Sequence, residues 1–121
     1  MKTLYAQLGG EEVVDEVVAL LYQKVRDDPR LSVFFQDIDM SRQERKFRMF
    51  LQVATGGPHQ YSGLELRAAH AGVASRGATQ EHVDWLLGHL RSAMEQLGIA
   101  SSISDLVLSR VIAYSGEVLG P

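Results

Sequence analysis

Between the glycine pair Gly9-Gly10 and the run Arg26-Asp27-Asp28-Pro29, apolar side chains stand at Val14, Val17, Val18, Leu21, Tyr22 and Val25. Steps of three and four residues place all six on one face of a helix, because an α-helix turns once every 3.6 residues. A stripe of that kind is stable only when another element covers it. The chain is therefore constrained to pack helices in layers. Paired glycines permit backbone angles that end the preceding segment, acids sit near the start of the stripe where a helix N-terminus favours them, and Asp-Asp-Pro closes it.

Other segments repeat the pattern. Thr3 is placed to cap a short first helix through Leu8. The connector LSVFFQDIDM, residues 31–40, leads to Ser41-Arg42-Gln43-Glu44. That quartet reads as a capping box, Ser41 bonding forward and Glu44 reaching back, for a helix to about Ala54. Gly56-Gly57-Pro58 stops it, and a loop through Tyr61 and Gly63 leads to a short helix from Leu64 to Val73. With Thr79 as cap, Val83, Leu86, Leu87, Leu90, Met94 and Leu97 define a long helix closed by Gly98. Ser101 or Ser102 caps the last one, with the stripe Ile103, Leu106, Val107, Val111 and Tyr114. Strand alternation and internal repeats are absent, so the expected fold is all-α and a single domain spanning 1–121.

Composition narrows the function. The sequence has no cysteine, which excludes disulfides, thiol catalysis, thiolate metal sites and thioether-attached haem. A net charge of −3 with no basic cluster argues against a nucleic-acid surface. No apolar run approaches the roughly 20 residues that span a bilayer, and Met1-Lys2-Thr3-Leu4 does not open a signal peptide, so a cytoplasmic protein is expected. His82 and His89 lie two turns apart on one helix, about 10.5 Å along the axis at 1.5 Å per residue, too far to share one zinc. They read as surface or packing histidines, and His59 as solvated. No Ser/His/Asp or paired-carboxylate pattern suggests hydrolysis.

Three polar residues fall on apolar faces. Tyr22 lies in the stripe of the second helix; Gln43 heads a stripe with Phe47, Phe50 or Leu51, and Ala54; His70 shares a face with Leu66, Ala69 and Val73. Each alone has an ordinary explanation: a hydroxyl at the rim, a solvated amide, a histidine bonded to a carbonyl. Together they supply a potential ligand and two hydrogen-bond donors.

Taken with its motifs, the sequence resembles the truncated haemoglobins of group I. The resemblance runs nearly end to end, through LYAQLGG, VRDDPRLSVFF, DMSRQERKFRMFL, GGPHQYSG, LRAAH and the GHL of the penultimate helix. It implies a two-on-two helical sandwich around non-covalent haem b. It also implies that His70 is the proximal iron ligand and Tyr22 the distal tyrosine. Phe35 would pack on the haem, and Gln43 would face the ligand. Leu66 and Leu86 would add apolar contacts, and Tyr61 would lie near the haem edge. Phe47 stands where many relatives carry a second distal glutamine, so Tyr22 would rely on Gln43 alone. No histidine follows His89, which removes the covalent haem link of some relatives.

Lys46, one turn beyond Gln43, matches a position that in relatives either reaches a haem propionate or ligates iron from the distal side. Ligation needs the neutral amine, and deprotonating an ordinary lysine at pH 7 costs more than about 4 kcal/mol. Pairing with a propionate does not. The implied function is binding of small gaseous ligands (oxygen, nitric oxide, carbon monoxide) by a monomer. It would serve oxygen storage, or nitric oxide dioxygenation with an external reductase. Two alternatives stand beside it: a redox or gas sensor in which Lys46 is a displaceable sixth ligand, and a haem-free helical interaction module.

Overall fold

The computed structural model describes residues 3–35, 39–57 and 80–119, with side chains to residue 113. Within these residues every element is helical: α1 (Leu4–Leu8), α2 (Glu11–Asp27), α3 (Pro29–Ser32), a 3-10 turn at Val33–Phe35, α4 (Met40–Ala54), α5 (Gln80–Gln96) and α6 (Ser101–Leu119). Helix α2 pairs with α4, and α5 with α6. The pairs stack with α2 against α5 and α4 against α6, and α1 closes one end on α6. This is an all-α sandwich of two helices on two.

The α2 stripe is the centre of the core. Val14, Val17, Val18, Leu21 and Val25 have no exposed surface, and Leu51, Leu90, Met94 and Val107 meet them from the other helices with equally complete burial. Burying a side chain of this kind fully contributes about 1.5–3 kcal/mol, which is why the pattern dictates the layering.

Helix ends follow local chemistry. Thr3 Oγ1 accepts from the Ala6 N–H at 3.1 Å, as expected. Gly9 has φ of +128°, and a Cβ there would collide with the Val13 side chain, so this position requires glycine. The Tyr5 N–H donates to the Thr55 carbonyl at 2.8 Å, tying α1 to the end of α4. Past α5, the Ile99 N–H reaches the Met94 carbonyl at 3.1 Å across Gly98, the bond of a glycine-terminated helix end.

Two local expectations are corrected. The cap of α4 is Asp39, whose carboxylate accepts from the N–H groups of Ser41 and Arg42 at 3.0 and 3.4 Å. A carboxylate two residues earlier outcompetes the Ser41 hydroxyl, so Ser41 lies inside the first turn and Glu44 is released from capping. On α6 the buried face is Ser104, Val107, Leu108 and Val111, while Leu106 is 50% exposed. Apolar residues fall on more than one face of that helix, with Ile112 also 55% exposed, so periodicity alone does not choose its inner face; its contacts with α1, α4 and α5 do. The connector after α2 is also more ordered than a loop, since Asp28 caps the single turn of α3 and Pro29 takes its first position.

Candidate functional site

Helices α2 and α4 bring Tyr22 and Gln43 together. Tyr22 is 2% and Gln43 6% exposed, so each polar group has left water and needs a partner. They are hydrogen-bonded to each other. Burial raises the Tyr22 phenol well above the usual tyrosine range, the bond from Gln43 pulls it part of the way back, and the negative charge of Glu44 pushes it up again. A partner that favours the ionised phenol is one that donates to its oxygen. Gln43 is thus the side chain that partners the Tyr22 phenol inside the α2/α4 seam.

Aromatic rings wall this pair. Phe35 meets Tyr22 edge-on at a centroid distance of 6.3 Å, and Phe47 does so at 5.9 Å with an interplanar angle of 73°. Phe50 continues the wall, 5.7 Å from Phe47. Phe47 thus offers Tyr22 a ring edge and no hydrogen bond, and Gln43 is its side-chain partner. Leu86, on α5, is half-buried against the same core, as are Phe35, Met40 and Trp85. Lys46 lies on α4 one turn beyond Gln43 and is half-buried, and no carboxylate among the described residues pairs with it. Tyr61, Leu66 and His70 lie outside the described residues.

A second polar cluster was not foreseen. Asp28, 8% exposed, accepts from the Arg30 backbone N–H at 3.0 Å and from its guanidinium at 3.0 and 2.8 Å. Its Oδ2 also meets His89 Nε2 at 2.7 Å, joining α3 to α5. The Arg30 bonds first and the His89 bond second hold this carboxyl below the usual carboxylate range. The guanidinium of Arg30 in turn lies 4.2 Å over the Trp85 ring. A cleft of about 380 Å³ opens beside it, lined by Lys24, Asp27, Asp28, Pro29, His89 and Ser92. Serine, histidine and aspartate meet here, yet His89 spends Nε2 on Asp28, Arg30 occupies both carboxylate oxygens, and no hydrogen bond joins Ser92 to His89. The cluster braces helices and is not built for nucleophilic attack. Its signal in the sequence was the buried-charge position of Asp28 before Pro29; its partner, 61 residues away, carried none.

Among the described residues no group of three or more His, Asp or Glu could hold a metal ion, and no helix is long and apolar enough to cross a membrane.

Residues 3–118 match the bacterial-like globin family. The chain is similar to a group 1 truncated haemoglobin of Synechocystis, 34% identical over 117 residues covering 96% of this chain and 91% of that protein. One from Mycolicibacterium paratuberculosis is 33% identical over 116 residues, covering 96% and 83%. Among solved structures, the truncated haemoglobin of Tetrahymena pyriformis in its Fe(III) form superposes with a TM-score of 0.86 at 29% identity, covering 99% of this chain and 100% of that one. The 2/2 haemoglobin of Synechococcus in the cyanomet state, with covalently attached haem, gives 0.87 at 31% identity, covering 98% of each chain.

Proposed function

Because the chain belongs to the bacterial-like globins and, within them, to the group 1 truncated haemoglobins, we propose that it binds a diatomic gas at a non-covalent haem b, with His70 as the proximal ligand and Tyr22 and Gln43 as the distal donors. The observation that carries this reading is the Tyr22–Gln43 pair: two bonded polar side chains buried among aromatic rings. The surrounding residues fit such a group. On α5, Leu90, Ala93 and Met94 are buried, whereas Val83, Leu86 and Leu87, one and two turns earlier, are only half-covered. A half-covered apolar face on a core that also holds two donors suits a flat, largely apolar ring carrying a polar ligand.

Haem supplies the open coordination position at which a gas is held. The protein supplies selectivity. Gln43 donates to the phenol oxygen and fixes the ring torsion of the O–H, so the Tyr22 proton is aimed at a ligand that accumulates negative charge, such as oxygen. Phe35 and Phe47 keep water away from that bond, which strengthens it. Phe47 also narrows the space around the donors. By the family resemblance, Tyr61 and Leu66 would be further contacts of the haem.

Slow oxygen release suits oxygen storage or the dioxygenation of nitric oxide. The latter draws electrons from a separate reductase. Absorption spectra of the purified protein in ferric, ferrous and carbonyl forms test the reading. A Soret band that His70→Ala abolishes, with helical circular dichroism retained, is expected. A protein that stays colourless after haem addition overturns it.

A further inference from the structure

We propose that the Arg26–Glu44 ion pair is a positioning device for the distal donors, holding the first turns of α4 in register against α2 so that Gln43 meets Tyr22. The inference rests on the distal role given to Tyr22 and Gln43 above.

Tyr22 and Arg26 stand one turn apart on α2, an i, i+4 pair on a shared face. Gln43 and Glu44 are consecutive on α4. Two bonds therefore link the same short stretches of the two helices. Inside, Gln43 bonds Tyr22. Outside, Arg26 Nη2 donates to Glu44 Oε1 at 2.8 Å. A one-residue rotation of α4 breaks both at once, because consecutive residues on a helix point about 100° apart. The Asp39 cap makes the outer bond available: with Asp39 taking the N–H groups of Ser41 and Arg42, the Glu44 carboxylate is free to leave the helix end and reach Arg26.

The pair also sets the charge felt by the phenol. The Glu44 carboxylate acts on Tyr22 through space, and Arg26 lies directly on that carboxylate. Side-chain exposures of 48% for Arg26 and 20% for Glu44 leave the bond partly screened, so its effect is on alignment and local field more than on global stability.

The test uses the haem-loaded protein carrying Arg26→Gln, Glu44→Gln, the swap R26E/E44R, and Tyr22→Phe as reference. Both single variants should release oxygen about 2- to 5-fold faster, the range set by an exposed ion pair. The bound C–O stretch should move toward its position in Tyr22→Phe, and the swap should restore both. The side-chain amide resonance of Gln43, read by ¹H–¹⁵N correlation, should shift in each single variant and return in the swap. That resonance reports register without reference to gas chemistry. If Tyr22→Phe alters release and stretch while the single variants leave stretch and amide resonance unmoved, the positioning role is overturned and the distal role survives. If Tyr22→Phe changes nothing, the distal role fails, and movement of the Gln43 resonance still decides whether the ion pair sets register.

Discussion

The Gln43 side chain, from the first turn of α4, is hydrogen-bonded to the phenol of Tyr22 in the middle of α2. The bond crosses between two helices, and the rings of Phe35 and Phe47 stand edge-on to the phenol. In the proposed pocket the Gln43 amide donates to the phenol oxygen, which leaves the Tyr22 proton for a bound ligand.

Tyr22→Phe should therefore accelerate oxygen release about 10- to 100-fold, the cost of losing one hydrogen bond to a partly charged acceptor. Stopped-flow displacement of oxygen by carbon monoxide reads this directly. Because burial holds the phenol above the ordinary tyrosine range, the protonated donor persists and slow release in the native protein should stay flat to at least about pH 9. A rise in the release rate between neutral pH and that limit would contradict the buried, protonated phenol.

Phe47→Ala separates packing from polarity. Phe47 is 5% exposed and touches both Tyr22 and Phe50, so its removal leaves a cavity in the α2/α4 seam. A loss of about 3–5 kcal/mol in unfolding free energy is expected from denaturant titration. Phe47→Leu, which keeps most of the volume, should cost clearly less and hold Tyr22 in place. Equal losses from the two variants would show that the ring edge, not the filled space, stabilises the seam.

Much of this arrangement is legible in the sequence, and the reasons for the remainder are physical. Tyr22 is visible because a hydroxyl stands in a stripe of valines and leucine, and the structure buries it there instead of at the rim. Gln43 is visible for the same reason, one position into a helix start. The α4 cap was misplaced by two residues because Asp39 and Ser41 both suit a helix start, and only the carboxylate's stronger bonds decide between them. Leu106 was assigned inward because α6 offers several apolar faces, and the neighbouring helices choose one. The Asp28–His89 contact could not be read at all. Its partners are neighbours only after α3 has docked on α5, and helical periodicity carries no information about contacts between helices.

Asp28→Asn tests that brace through pH. Arg30 and then His89 hold the Asp28 carboxyl below the usual range, so it binds protons less readily folded than unfolded. Its stabilising contribution is then complete above the unfolded value near 3.9 and disappears as pH falls below it. At neutral pH the variant should melt at a lower temperature than the native protein. Below about pH 4 the native melting temperature should fall more steeply, and the gap should narrow progressively toward the acid end. Circular-dichroism melts across that range make the comparison, and a gap that stays constant down to the acid end would show that the charge on Asp28 is not what braces α3 on α5.

Lys46 is the residue on which ligand chemistry turns. It sits half-buried one turn beyond Gln43, with no carboxylate among the described residues to neutralise it, so a haem propionate is the anion its position suits. Ligation of iron instead requires the neutral amine, at a cost for an ordinary lysine of more than about 4 kcal/mol at pH 7. Pairing requires no such step, and the aliphatic stem can lie along the ring edge while the ammonium stays wet. Lys46→Ala should then speed haem loss to a high-affinity acceptor by about 2- to 5-fold, the scale of one exposed ion pair. At any given pH the ferric spectrum of the variant should show the same spin state as the native protein. Conversion from a low-spin to a high-spin ferric spectrum on this substitution would instead assign Lys46 to the iron, and the protein to the class of sensors whose internal ligand leaves when gas arrives.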